Sequence, residues 1–301
     1  MMSKFVTVIG GMNIDISAAI AAQVVQADSN PGTVTLGCGG VARNIAANLC
    51  LLGHQVKLVT VLGDDAFGNM CRDNCRQAGI DLSLTERCHD ERNGLYICVN
   101  DHRGELVVAV ADTDIIHRIT PTFLMQRLPV INQSAAVIAD TNIGEDALTF
   151  LLDNCRPPLL IDTVSTAKAA RVVAALQRSR NHSLHTLKLN RMEALSVTGC
   201  PDVTQAAARL NALGAEHVYV TLGADGVLCS DGITTERLPS TATTVVNTTG
   251  AGDAFLAGVA AALLRQVPFP ATARFGLTAA RAALLTAEAV NPQIATFFNQ
   301  Q

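Results

Sequence analysis

Charge is scarce in this chain. Only 16% of its 301 residues are Asp, Glu, Lys or Arg, and 22 basic against 26 acidic side chains leave a formal charge of −4. That balance gives no electrostatic footprint for duplex nucleic acid or an anionic membrane. Long apolar runs are lacking too. The longest uncharged one, residues 254–264, falls far short of the roughly 18 residues that span a bilayer. No CxxC pair occurs among the nine cysteines, which are odd in number and scattered, whereas a secreted disulfide framework would be denser and even. The start, MMSKFVTVIGGMNID, has a short apolar stretch broken by Asn13 and Asp15 and no cleavage site behind it, so a cytoplasmic location is expected. There is no GxxxxGK[ST] loop, GxGxxG fingerprint, HExxH or zinc-spaced Cys/His set. His182 and His185 share a helical spacing, but their Asn and Ser neighbours suggest a surface loop. Ser165 and Lys168 lack the further partners of an SxxK enzyme, and Lys168 reads as a solvated lysine or a phosphate contact.

What is present is apolar: 49% of residues are hydrophobic, which excludes intrinsic disorder and suffices for a substantial core. Short β-prone runs at 5–9, 56–62, 136–139, 159–161, 186–189 and 218–222 alternate with helical stretches at 41–52, 66–78, 144–154, 166–178 and 202–213. This alternation argues for βαβ units and a parallel sheet covered on both faces. Two Ala/Leu-rich segments, 251–264 and 271–287, read as buried helices. Residues 15–36, with the turn Asp28-Ser29-Asn30-Pro31-Gly32, and the hairpin-like 95–110 break the alternation. They form either a flap over a pocket or an ordinary sheet edge. No linker or repeat divides residues 1–301, so one domain with a possible lid is expected.

The most informative stretch is NTTGAGD, residues 247–253, followed by an apolar helix. Bare backbone at Gly250, Ala251 and Gly252, with the free N–H groups and positive dipole end of a helix, suits an anion. Asp253 in the first turn is placed for a general base, or merely caps its helix. In LGCGGVARN, Gly39 and Gly40 open a helix and Asn44 lies one turn in, a set that can rest a polyol on backbone or can be a plain turn. Asn13 and Asp15 follow the first strand, at the end where α/β proteins bind ligands, and can chelate a diol or form a local Asx turn. Asn190 and Glu193 can face phosphates and the water shell of Mg²⁺, or pair in a capping box. Thr221, Gly223 and Gly226 end another strand, as a nucleotide-facing loop or a hairpin turn.

The order GMNID, GGVARN, GDDAFG (63–68), NRME, TLGADG and NTTGAGDAF along nearly the whole chain resembles the ribokinase-like, or PfkB, family of carbohydrate and nucleoside kinases. The resemblance implies a three-layer α/β/α fold, its mostly parallel sheet carrying a β-lid built from about 15–36 and 95–110, and a homodimer formed through that lid. It implies ATP as phosphate donor, Mg²⁺ held through water by Glu193, and a nucleotide lined by Asn190, Glu193, Thr221, Gly223 and Gly226. Asp253 would be the base and residues 250–252 the anion hole, while Asn13, Asp15, Gly39, Gly40 and Asn44 would grip a ribose. Ser29 and Asn30 in the lid would read the nucleobase edge. Arg43 stands where sugar kinases carry smaller residues, suggesting an acceptor other than free sugar, and ADSNPG (27–32), DTNI (140–143), DTVSTAK (162–168) and TLKLNRMEA (186–194) point to the 5′-hydroxyl of pseudouridine. Many members carry Asp in place of Asn247, where it helps form a monovalent-cation site, so potassium activation is left open. Another nucleoside or ribose is the nearest alternative acceptor. A non-catalytic sugar- or nucleoside-binding regulator is the alternative of another class, against which the intact GAGD speaks.

Overall fold

The computed structural model describes residues 5–181, 184–242 and 244–298. In chain order its strands are β1 (Val6–Ile9), β2 (Asn13–Ile20), β3 (Gly32–Gly39), β4 (Val56–Val59), β5 (Val61–Gly63), β6 (Glu86–Cys88) and β7 (Leu95–Asn100). They continue with β8 (Leu106–Asp112), β9 (Ala136–Asp140), β10 (Leu159–Asp162), β11 (Leu184–Asn190), β12 (Ala215–Thr221), β13 (Val227–Ser230) and β14 (Thr235–Leu238). The helices are α1 (Val41–Leu51), α2 (Ala66–Gln77), α3 (Pro121–Ile131), α4 (Glu145–Asn154), α5 (Thr166–Arg178), α6 (Arg191–Thr198), α7 (Val203–Ala212), α8 (Ala251–Leu264), α9 (Thr272–Ala283) and α10 (Ile294–Phe298).

The main sheet has the order β14-β13-β12-β11-β10-β9-β1-β4, parallel from β12 to β4 with an antiparallel edge at β13 and β14. Its strands are apolar on both faces because both are covered. Val137, Ala139, Leu159 and Ile161 pack with α3, α4, α5 and α7, while Ala136, Ile138 and Leu160 turn the other way, toward α1, α2 and α8. Three α/β/α layers result. No helix among the described residues is long and apolar enough to cross a membrane.

The stretch 56–62 is not one strand. Val59 still pairs with Ile9, but at Thr60 the chain leaves the main sheet, and Val61 pairs with Glu86 in a two-stranded sheet. Buried Thr60 spends its hydroxyl on the Gly10 carbonyl at 2.7 Å, a bond that the bend allows. The α3 helix goes unsignalled in the sequence because Pro129 lies inside it. The helix expected over 271–287 stops at Ala283. The two segments that break the alternation join in a four-stranded sheet, β3-β2-β7-β8, and reach a few residues beyond 15–36 and 95–110. His185 is the second residue of β11 and is half-buried instead of lying in a surface loop, and His182 lies outside the described residues.

Candidate active site

The strand order reverses between β1 and β9, and a crevice opens at such a switch point beyond the carboxyl ends of the strands. Three neighbouring strand ends there carry buried charge: Asp140 on β9, Asp162 beside it on β10, and Lys188 in register with Asp162 on β11. Asp140 accepts from the backbone N–H groups of Gly11 and Ala42, each at 2.9 Å. Gly10 has φ +145°, and a Cβ there would lie 2.4 Å from the Asp140 carboxyl carbon, so the β1 loop closes down on this carboxylate. Burial raises the pKa of Asp140, against the pull of these N–H donors.

The α8 N-terminus faces the row. Gly250 caps it in the left-handed region (φ +79°), where a Cβ would clash with the Ala289 carbonyl at 2.0 Å. A Cβ on Gly252 would fall 2.5 Å from Lys188 Nζ, so the ammonium sits directly beneath the helix mouth. Lys188 Nζ donates to Asp162 Oδ2 at 3.0 Å. Burial works against its charge, but the fields of Asp162 and Asp253 outweigh that and hold its pKa above the usual value. Asp253 is 8% exposed. Desolvation, with repulsion from Asp162, pushes its pKa up to about 7, against the pull of Asn44 and Lys188. A buried carboxylate poised there is suited to accept a proton near neutral pH.

Asn44 on α1 donates Nδ2 to Asp253 Oδ2 at 2.7 Å, while its own Oδ1 is buried without a partner, a free acceptor for a hydroxyl. Gly40, at φ +97°, lets the start of α1 lie against Gly11, whose carbonyl would be 2.3 Å from a Cβ. Gly39 is equally bare toward Asp15, whose Oδ2 would be 2.0 Å from a Cβ. Asn13 donates to Asp15 Oδ1 at 2.5 Å, and burial raises the Asp15 pKa. Asn13, Asp15, Gly39, Gly40, Asn44 and Asp253 thus form one continuous surface.

Ser29 and Asn30 do not join it. They lie beyond the far end of the β2–β3 pair, past the Ile20–Gly32 register, whereas Asp15 pairs with Gly37 near the crevice. Five strand steps separate Asp15 from Ile20, about 16 Å. The Asn30 side chain is bonded to Val25 N and O. Asn190 and Glu193 form the full capping box of α6. Glu193 accepts from Asn190 N (2.8 Å), Asn190 Nδ2 (2.6 Å) and Thr163 Oγ1 (2.7 Å). Thr221, Gly223 and Gly226 belong to the hairpin connection between β12 and antiparallel β13, beside the end of β11. Asn247 Nδ2 donates to Ala287 O at 2.9 Å. Lys168, its pKa lowered by burial, donates to Asn142 Oδ1 at 2.6 Å.

Asp140, Asp162 and Lys188 are absent from the candidate residues read off the sequence. The local signal of the two aspartates is the pair of Asp-Thr steps, 140–141 and 162–163, each at the end of an apolar run, and Lys188 has none.

Residues 3–296 match the model of the pfkB family carbohydrate kinases. The chain belongs to this family. It is accordingly a phosphotransferase acting on an alcohol group. This kinase is 35% identical over 298 residues to the pseudouridine kinase of Escherichia coli K12, covering 96% of this chain and 93% of the relative. It is 42% identical over 252 residues to the cytidine kinase of Thermococcus kodakarensis, covering 82% and 87%. The fold is that of ribokinase: the Arabidopsis thaliana enzyme solved with ribose and ATP superposes with a TM-score of 0.85 at 20% identity, over 98% of this chain and 99% of that one.

Proposed function

We propose that this kinase transfers the γ-phosphoryl group of ATP to the 5′-hydroxyl of pseudouridine, giving pseudouridine 5′-phosphate. The observation that carries the phosphoryl-transfer reading is Asp253, buried with a pKa near 7 at a glycine-lined helix mouth backed by Lys188. The acceptor rests on the 35% identity to a pseudouridine kinase over 96% of the chain. Asp253 takes the proton of the hydroxyl as it attacks the γ-phosphorus. The N–H groups of Gly250, Ala251 and Gly252 meet the charge growing on the transferred group, with Lys188 adding its field from below. Such transfer is chiefly positioning and electrostatic stabilisation. Asn13, Asp15, Gly39, Gly40 and Asn44 hold the ribose hydroxyls, Asn44 through its free Oδ1. Asn190, Thr221, Gly223 and Gly226 line the nucleotide.

Magnesium suits the oxygen donors of this site. Glu193 accepts three hydrogen bonds of the roughly four a carboxylate can take, which leaves it a lone pair for a metal-bound water. The ion, when bound, neutralises phosphate charge. A monovalent cation is not part of the proposal, since Asn247 presents an amide where many members carry a carboxylate.

The lid is proposed to pair two copies. Its outer surface is apolar and open: Val34, Leu36, Leu106, Val108 and Val110 are each at least half exposed. An apolar face of this kind on one sheet marks an interaction surface. Ser29 and Asn30 then read a nucleobase edge from the partner's lid, because their own strands carry them away from Asp15. Val108→Asp is expected to convert a dimer to monomer at the same concentration, read by light scattering coupled to size exclusion. A monomeric wild type would refute lid pairing.

A phosphorylation panel of pseudouridine, uridine, cytidine, inosine and ribose tests the acceptor. Pseudouridine should give the highest kcat/KM. The 42% identity to a cytidine kinase favours a second reading, and a panel led by cytidine would select it. No turnover of any acceptor would revive the non-catalytic binding reading. Asp15→Ala should weaken nucleoside binding far more than ATP binding, and equal losses by calorimetry would remove Asp15 from the ribose site.

A further inference from the structure

His185 is the second residue of β11, and Glu216 and His217 follow Ala215 at the start of β12. The two strands run parallel, with Leu184 paired to Ala215 and Thr186 to His217, so the three side chains gather where both strands begin. This is the end of the sheet opposite the crevice, which lies beyond Asn190 and Thr221 on the same strands. Each of the three offers a ligand atom, and these atoms all lie within 4.8 Å of one another. The imidazole rings of His185 and His217 meet edge to face, their centroids 4.9 Å apart at 75°.

The surroundings hold the rings and leave the carboxylate free. His217 stacks on Phe269, centroids 4.5 Å apart at 11°. His185 Nδ1 lies 2.9 Å from Thr186 Oγ1, and with Nδ1–H donating there the ring lone pair sits on Nε2. Outer partners of this kind fix ring direction and tautomer at metal-binding histidines. Glu216 is exposed, and among the described residues no basic side chain forms an ion pair with it. A cavity of about 410 Å³ opens onto His185 and Glu216, with Arg156 and Asn181 on its wall, and gives an ion both an approach and room for a water ligand.

We propose that His185, Glu216 and His217 bind a transition-metal dication of the zinc class, which staples β11 to β12 at the sheet end remote from the active site. The donor set selects this class: imidazole nitrogen suits Zn²⁺, Co²⁺ and Ni²⁺, whereas Mg²⁺ and Ca²⁺ take oxygen ligands. A tetrahedral ion with bonds of about 2.0–2.1 Å sets its ligand atoms about 3.4 Å apart. Small turns of the exposed Glu216 and of the two half-buried rings close the present spacing to that value. Because the ligands come from two neighbouring strands, metal binding and strand pairing reinforce each other.

The test uses the full chain without an affinity tag, stripped with EDTA and titrated with Co²⁺ by calorimetry and visible absorption. One equivalent per chain is expected, with d–d bands of a nitrogen and oxygen donor set, without thiolate charge-transfer bands, and displaced by Zn²⁺ but not by Mg²⁺. His185→Ala and His217→Ala should each weaken binding by more than about 10²-fold, the upper range for loss of an outer partner alone. Glu216→Gln keeps the size of an exposed side chain and should weaken binding at least about 10-fold, so it carries the test if an alanine variant misfolds. Zn²⁺ should also protect His185 and His217 of the wild type from diethylpyrocarbonate, read by peptide mass spectrometry, and slow amide exchange at 184–186 and 215–218. Absence of binding, thiolate bands, or affinity that survives both His217→Ala and Glu216→Gln would overturn the proposal. None of these readouts uses turnover, so their failure leaves the kinase reading standing.

Discussion

Asp253→Asn is expected to bind ATP and nucleoside normally and to turn over about 10²–10⁴-fold more slowly, the range for loss of a positioned base. The amide keeps the volume and can still meet Asn44, so the ribose surface around it is retained. What is lost is the proton acceptor. The pH profile makes the assignment specific. Asp253 accepts a proton only when ionised, and burial with the Asp162 charge sets its pKa near 7. Wild-type kcat/KM should therefore fall as pH drops below about 7, and that acid limb should vanish from the residual activity of Asp253→Asn. Near-normal turnover of the variant would take Asp253 out of the role.

The second large effect is expected at Lys188. Its ammonium lies between two buried carboxylates, and Lys188→Met removes their counter-charge while keeping most of the apolar stem. Breaking such a buried pair costs about 3–5 kcal/mol because the remaining charge is left uncompensated, and urea denaturation measures it. A merely structural lysine would show no more than this loss. Because Lys188 also lowers the pKa of Asp253, the acid limb of kcat/KM should move to higher pH in Lys188→Met. A destabilised variant whose limb stays in place would confine Lys188 to a structural part.

These two residues also mark how far the sequence could be read. The GAGD stretch was legible because the glycines, the anion-facing turn and the acid are contiguous and open an apolar helix. The alternation of strand and helix was legible because a sheet covered on both faces needs runs apolar at every position. Lys188 was not, since in TLKL a lone lysine inside a strand reads as an outward side chain, and only the neighbouring strand's Asp162, 26 residues away, makes it an inward one. Asp140 meets Gly11 across 129 positions, and Asn44 meets Asp253 across 209. No spacing rule reaches that far, because such pairs are brought together by the crossing of the chain at the switch point. The capping box of Asn190 and Glu193 is the opposite case: its three-residue spacing satisfied a local motif and a phosphate-facing role at once, and local geometry could not choose between them.

The closeness of Gly252 to the Lys188 ammonium has a consequence for what position 252 can carry. One spot in the molecule can hold either a methyl group or a cation, and here it holds the cation. The two positions lie 64 apart along the chain, and alanine at 252 would require the lysine's ammonium end to swing aside. An alanine there would carry the ammonium away from the helix mouth and so take its field off the transferred charge.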